Sequence, residues 1–500
     1  MSSLSRRMFL QTNASAAAAL AAPQPPAWTG PAAADRLDQG PFEAEQDDGW
    51  MTLTTTTAYE GPLRNPGLGL MGYTWEEGGP SLAARSGKET LEQHVERLSS
   101  LPFVDVLYLR CDWRHVQKQA GRLDLHPIWQ LTLDAAKAKG QRVAFRVQLS
   151  NPSAPDEPIA MPSFVRQKVP LVNIGRDRAN GQAKDSFEPR YDHPEFRKAF
   201  KELNELLAAR FDGHPDIEFV DLMQYGYWGE GHTANLHNPF PDYPTAERTF
   251  VDFTRQQLDA WKRTPLAVNT EPDISFVGNR RVIEMCTSAG AWLRSDSILV
   301  EEPIQIDMLA NRPPWQAVIM EDGYDRQYKL TMQPRLERAM RHVLNVGGNY
   351  WSLWTEAANL DAFHKAFPRG FESLRSRMGY RLRPGWLWQR KRRGAYELVT
   401  AIVNEGVAGV PGVLRVKAST PDGKFQAEGS LDPGQPYAGK LRQCAFSIPR
   451  ELEGQIVRLE AELELRPGVR RPVKWASEPL GQPVEAQLMR WSDARWRKNI

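Results

Sequence analysis

From about residue 63 to residue 379, short β-branched and aromatic runs alternate with amphipathic helical stretches. That rhythm is the feature that most restricts the fold, because strands read with period two and helices with period 3.6. The strand-like runs are LGLMGYTW (68–75), VDVLYLRCDW (104–113), RVAFRVQLS (142–150), IEFVDLMQYG (217–226), LAVNTEP (266–272), LRSDSILVEE (293–302), QAVIMEDGY (316–324) and NYWSLWT (349–355). Helical stretches separate them, such as FRKAFKELNELLAARF (196–211), whose Phe196, Phe200, Leu203 and Leu207 fall on one face. Eight such units predict an α/β fold, a (β/α)8 TIM barrel over residues 51–380. A doubly wound open sheet would normally carry a Gly-rich phosphate loop after its first strand, and none is present. Beyond residue 380 the period becomes two, in YELVTAIVNEG, GVLRVKAST, CAFSI and IVRLEAELEL, with Gly, Pro and Asp turns between. This predicts a small antiparallel β-sandwich over 381–482, followed by a tail at 483–500. The Pro-rich connection at 151–195 is long enough to expect a wall or lid over a site.

The chain has 500 residues and a formal net charge of +2 without a long basic block, so composition points to neither nucleic acid nor an anionic membrane. SRRMFLQ followed by an Ala-rich stretch resembles a twin-arginine export signal over 1–22, with a Pro- and Ala-rich linker at 23–50. The expected protein is therefore exported, periplasmic or secreted, and free of the membrane once the signal is cleaved. Cys111, Cys286 and Cys444 are scattered and odd in number, which favours buried thiols over a disulfide framework or metal cluster. No cofactor is expected.

In a barrel of this kind, chemistry lies at the carboxyl ends of the strands. Strand two ends with Arg110 and Asp112, strand four leads to Glu230, and strand five ends with Asn269 and Glu271. Glu301 and Glu302 close strand six, Glu321 and Asp322 strand seven, and Trp351, Trp354 and Glu356 belong to strand eight. Glycoside hydrolysis needs two carboxyl groups, one protonated and one ionised. Glu230 follows Tyr225, Tyr227 and Trp228, an apolar setting that would keep an acid protonated, and Gly226, Gly229 and Gly231 let the backbone turn out of the strand. Glu321 is the candidate ionised partner, with Glu301 and Glu302 as competitors. Arg110 and Asp112 read as a charged pair lining the mouth, and buried Arg146 and Arg294 would need anionic partners. Of Trp351 and Trp354, three apart on a strand, one is expected to face the site.

NPGLGL, LYLRCDW, YDHPEFRKAF and YGYWGEGH, together with a strand-four acid, a strand-seven acid and a Trp-bearing strand eight, resemble the retaining glycoside hydrolase clan of barrel enzymes. The closest likeness is a β-galactosidase-like bacterial group, over roughly residues 60–380. The resemblance implies Glu230 as acid/base, Glu321 as nucleophile and a carbohydrate substrate. Tyr225, Tyr227, Trp228 and Trp354 would be stacking walls, and Arg110, Asp112 and Asn269 polar contacts. Much of that clan has Asn before the strand-four acid, where this chain has Gly229, so the 2-hydroxyl contact would pass to a residue such as Asn269. Two other readings stand beside it: a non-catalytic glycan-binding barrel, and a metal-dependent hydrolase built on Glu230, His232 and His237.

Overall fold

A computed structural model describes residues 49–151, 159–176, 185–231, 237, 239–270, 276–299, 301–322, 332–392, 395–493 and 497–498. The expected leader, and the linker as far as residue 48, lie outside them. The first strand, β1 (Gly49–Thr55), precedes the barrel in sequence. The barrel strands are β2 (Gly69–Trp75), β3 (Val106–Asp112), β4 (Arg142–Gln148), β7 (Ile217–Asp221), β8 (Leu266–Asn269), β9 (Trp292–Ser295), β10 (Val318–Glu321) and β11 (Tyr350–Leu353), and a hairpin of β5 (Leu171–Gly175) and β6 (Ser186–Pro189) lies between β4 and β7. The eight barrel strands close in sequence order, with β11 against β2, and every pairing is parallel.

Alternation of side chains sorts the barrel into two environments. Leu107, Leu109, Val143, Phe145, Val220, Val268, Leu293, Met320 and Trp351 belong to the core cluster shared with the surrounding helices. Residues of opposite parity, including Ala144, Phe219, Ala267, Trp292, Ile319 and Tyr350, fill the interior. Phe219, Trp292 and Tyr350 form an aromatic floor, with ring centroids 5.4–5.8 Å apart. Two residues further along each strand stand Arg146, Asp221, Asn269, Arg294, Glu321 and Ser352. A charged layer therefore rests on an apolar one, toward the strands' carboxyl ends.

Several boundaries differ from the sequence reading. Strand six stops at Ser295, after which Leu299 takes a φ of 75°, so Glu301 and Glu302 do not end a strand. Glu301 instead accepts from Ser295 Oγ at 2.7 Å and the Leu299 N–H at 2.6 Å, and Glu302 caps the helix Pro303–Ala310. Strand four ends at Asp221, five residues earlier than its apolar run suggests. The long connection after β4 carries the β5–β6 hairpin.

Behind the barrel stand two antiparallel sheets. One orders β16 (Leu441–Ile448), β13 (Ala395–Asn404), β12 (Leu382–Arg392), β1 and β20 (Arg497–Lys498). The other orders β15 (Gln426–Ser430), β14 (Val413–Ser419), β17 (Ile456–Arg466) and β18 (Val469–Val473), with β19 (Val484–Gln487) also on β17. Thus β1, placed by sequence at the linker–barrel boundary, is a sandwich strand: it runs along β12 from Gly49↔Lys391 to Thr55↔Trp386.

Candidate active site

The chain leaves β7 at Asp221 and reaches Glu230 through a turn with little freedom. Gly226, Gly229 and Gly231 have φ of 76°, 73° and 86°, a region that costs a side-chain-bearing residue energy. Trp228 adopts φ 55° with a full indole, strain of the kind that persists only where neighbours hold it. Those neighbours are visible. The Trp228 N–H donates to the Ser150 carbonyl at 3.1 Å, the Arg146 guanidinium to the Trp228 carbonyl at 3.2 Å, and the Gly226 N–H to the Tyr191 hydroxyl at 2.9 Å. A Cβ at Gly229 would lie 3.3 Å from Arg146 Cδ.

Glu230 and Glu321 come together at the barrel mouth: one oxygen of each, with one from half-buried Asp296, lies within 4.8 Å of the others. Both glutamates are buried. Glu321 receives Arg110 Nη2 at 2.7 and 2.8 Å, Arg294 Nε at 2.9 Å and the Tyr73 hydroxyl at 2.9 Å. Arg294 also reaches Asp221 at 3.1 Å, and the Tyr108 hydroxyl donates to the same Asp221 oxygen. Buried Arg146 and Arg294 thus find the anions that burial demands.

The setting of Glu230 departs from expectation. Its carboxylate faces cations, Arg146 Nη1 at 2.7 Å and Arg110 Nη1 at 3.0 Å, rather than an apolar wall. Tyr225 is a core residue. It is 1 % exposed and packs against Tyr191, Phe240 and Phe250, so it is no stacking wall. Tyr227 is also buried, its ring 5.5 Å from that of half-buried Trp228. Asp112 pairs with Arg114 at 3.0 Å and receives the Asn151 amide at 2.7 Å, so it does not pair with Arg110. Burial pushes its carboxyl up to about 6, against the pull of Asn151 and Arg114. Asn269 ends β8 and is buried; Glu271 lies outside the described residues. Trp351 packs against Phe371 on the helix side, while half-buried Trp354 lies just past β11. Asp322 receives Arg335 at 2.9 Å, and burial lifts it to about 6.

Sequence reasoning missed Glu77, Asp221, Tyr73, Tyr108 and Ser352. Glu77 follows β2 and accepts from Arg110 Nη1 at 2.7 Å. Burial pushes it up to about 8, and burial with the charge of Glu356 lifts its neighbour Glu76 to about 7. Period two on β2, β3, β7 and β11 was the available signal for the others. Of the proposed metal set, His232 is outside the described residues and His237 is exposed, its N–H on the Ile174 carbonyl beside the hairpin. Among the described residues, the one trio of acids, imidazoles or thiols close enough to share an ion is Glu230, Asp296 and Glu321, without a histidine. Arg110 and Arg294 already supply positive charge to its two glutamates.

No family model and no curated protein matches the sequence. Solved structures do. An exo-β-1,4-mannosidase from Opitutaceae bacterium strain TAV5 is 11 % identical over 64 % of this chain, with a TM-score of 0.35. The chain spans 57 % of that protein. An endo-glycoceramidase II from Rhodococcus sp. is 13 % identical over 79 % of this chain and 100 % of its own, with a TM-score of 0.35. An endo-β-1,4-mannanase from Thermotoga petrophila is 10 % identical over 86 % and 98 %, with a TM-score of 0.37.

Proposed function

We propose that this chain is an exported retaining glycoside hydrolase, β-galactosidase-like in substrate, that works by double displacement with two glutamates. The observation that carries the reading is the meeting of Glu230 and Glu321 at the carboxyl ends of the barrel strands, with oxygens within 4.8 Å. Retention calls for two carboxyl groups brought about 5–5.5 Å apart across the sugar. Glu321, fixed by Arg110, Arg294 and Tyr73, attacks the anomeric carbon. Glu230 gives a proton to the leaving oxygen and then takes one from the water that releases the sugar. The half-buried rings of Trp228 and Trp354 offer stacking faces, and Asn269 offers a polar contact.

A second reading, a glycan-binding barrel without turnover, is favoured by one observation: the Arg110 guanidinium pairs with both glutamates, at 3.0 Å from Glu230 and 2.7 Å from Glu321. One experiment separates the two. Wild type, Glu321→Ala and Glu230→Gln are assayed on aryl glycosides and on plant and bacterial polysaccharides. The glycosidase reading expects turnover by wild type and a loss of at least ~10³-fold in Glu321→Ala. It also expects Glu230→Gln to lose roughly 10²–10⁴-fold on poor leaving groups and much less on activated ones. Sugar binding without turnover by any of the three supports the binding barrel.

A further inference from the structure

We propose that Glu77 stores the proton that Glu230 delivers to the leaving group; this rests on the glycosidase reading above. Three guanidiniums, Arg110, Arg146 and Arg294, are threaded through the buried layer, and three carboxylates answer them: Asp221, Glu230 and Glu321. That set is balanced in charge. Glu77 and half-buried Asp296 are further carboxyls at the same mouth. A buried site does not support an unmatched anion, and Glu77 shares a guanidinium with both catalytic glutamates. Glu230, which must carry the acid proton at the start, faces two cations, and Glu77 lies beside it on the same guanidinium.

The geometry links the two. Arg110 Nη1 is 2.7 Å from Glu77 Oε1 and 3.0 Å from Glu230 Oε1, so both acids share one nitrogen. The sum of those distances is the most that can separate the two oxygens, a gap one hydroxyl or water spans. The Glu77 side chain is 11 % exposed against 2 % for Glu230, so it is the more open of the two to solvent. Around it stand Glu76 on its own loop, Arg110 from β3, Glu230 from the β7 loop and Glu321 from β10, and Asn151 fixes its backbone carbonyl at 2.5 Å. Of these charged groups only Arg110 is a cation, and Arg110 is divided among three glutamates. Burial first, then the anionic neighbours, push the Glu77 carboxyl up to about 8 against the pull of Arg110.

A pyranose entering between Glu230 and Glu321 displaces Arg110, and Glu230 loses a cation. The Glu77 O–H bond then breaks as an O–H bond forms on Glu230, through one bridging hydroxyl or water. Glu230 passes that proton to the glycosidic oxygen as its bond to the anomeric carbon breaks and the bond to Glu321 forms. In the second half, water loses a proton to Glu230 as its oxygen bonds to the anomeric carbon and Glu321 departs. The proton returns to Glu77.

Two readouts test this on the full chain. Carboxyl infrared difference spectra at pH 7.5, taken in a Glu76→Gln background because Glu76 is itself lifted to about 7, should show a protonated carboxyl that vanishes on adding Glu77→Gln and persists on adding Glu230→Gln. In kinetics, wild-type kcat/KM on poor leaving groups should fall above about pH 8. Glu77→Gln should lose ~10–100-fold there, keep most of its rate on dinitrophenyl glycosides and lack that alkaline limb, with Glu77→Asp restoring it. In the Glu76→Gln background a protonated signal that survives Glu77→Gln, or a Glu77→Gln rate profile equal to wild type, overturns the proposal while leaving the glycosidase intact. A wild type that turns over none of the panel removes the glycosidase reading itself, and the proton's destination with it.

Discussion

Glu218 is a fully buried carboxyl and Glu77 a half-buried one, and their partners send them in opposite directions. Glu218 forms an ion pair with Arg142 at 2.7 Å and accepts from Arg471 at 2.5 Å, the Gly67 N–H at 2.7 Å and the Tyr350 hydroxyl at 2.7 Å. Burial alone would raise it, but these charges and donors outweigh burial and hold it below the usual carboxylate range. Glu77 has a share of one guanidinium, and burial wins. Linkage then gives the two residues opposite pH dependence. Stability from Glu218 is present above the ordinary glutamate value of about 4.5 and is lost as pH falls through its lowered folded value. Stability from Glu77 is fully present below about 4.5 and is lost as pH rises through about 8. Glu77→Gln cannot ionise, so between pH 5 and 9 it should gain roughly 1–3 kcal/mol relative to wild type. Urea melts at several pH values measure this, and a difference that stays flat or shrinks with pH contradicts a raised Glu77.

At the scale of the element, the turn after β7 is held from outside itself. Tyr191, ahead of the helix Pro194–Phe211, accepts the Gly226 N–H and donates to Glu188, which Ser150 also serves, while its ring packs on Phe196, Tyr225 and Phe240. Tyr191→Phe keeps those ring contacts and strips a buried N–H of its acceptor, a cost of about 1–3 kcal/mol. Chemical denaturation should show that loss, and activity should fall with it because the same turn aims Glu230. A variant as stable as wild type would mean the turn is held by Ser150 and Arg146 alone. The eight-fold rhythm was legible because strand and helix periods differ. The meeting of Glu230 and Glu321 followed from placing both on the carboxyl side of their strands, although Glu230 stands on the turn beyond β7 and not at its end. What sequence did not show was which way a side chain faces. Tyr225 and Trp228 are three residues apart in one aromatic run, yet one fills the core and the other borders the mouth. The acids of VEEP read as a strand end because the apolar run continues to Val300, but the chain has already turned at Leu299. Glu77 carries no mark of its own in the sequence, and the closure of the barrel brings Arg110 to it.

Across the whole molecule, barrel floor and sandwich form one apolar body. Phe219, Trp292 and Tyr350 belong to the same buried cluster as Leu387, Leu414 and Leu463. Polar contacts cross the same seam: Arg471 to Glu218, Arg466 to the Gly290 carbonyl at 2.9 Å, and the Tyr380 hydroxyl to the Pro66 carbonyl at 2.6 Å. The strand β1, which pairs with β12, is covalently ahead of the barrel, so the chain enters through the sandwich and returns to it. An arrangement closed in this way should unfold as one unit although the chain is long enough for two. Arg471→Met tests the seam at its most charged point. It leaves Glu218 with Arg142, the Gly67 N–H and the Tyr350 hydroxyl, so the cost should fall at or below the low end of a broken buried pair, about 3 kcal/mol. Calorimetry should record a single transition in wild type and, at a lower temperature, a single transition in the variant. Two resolved transitions, with the upper one unmoved by Arg471→Met, would mean that barrel and sandwich fold separately and that the shared cluster does not couple them.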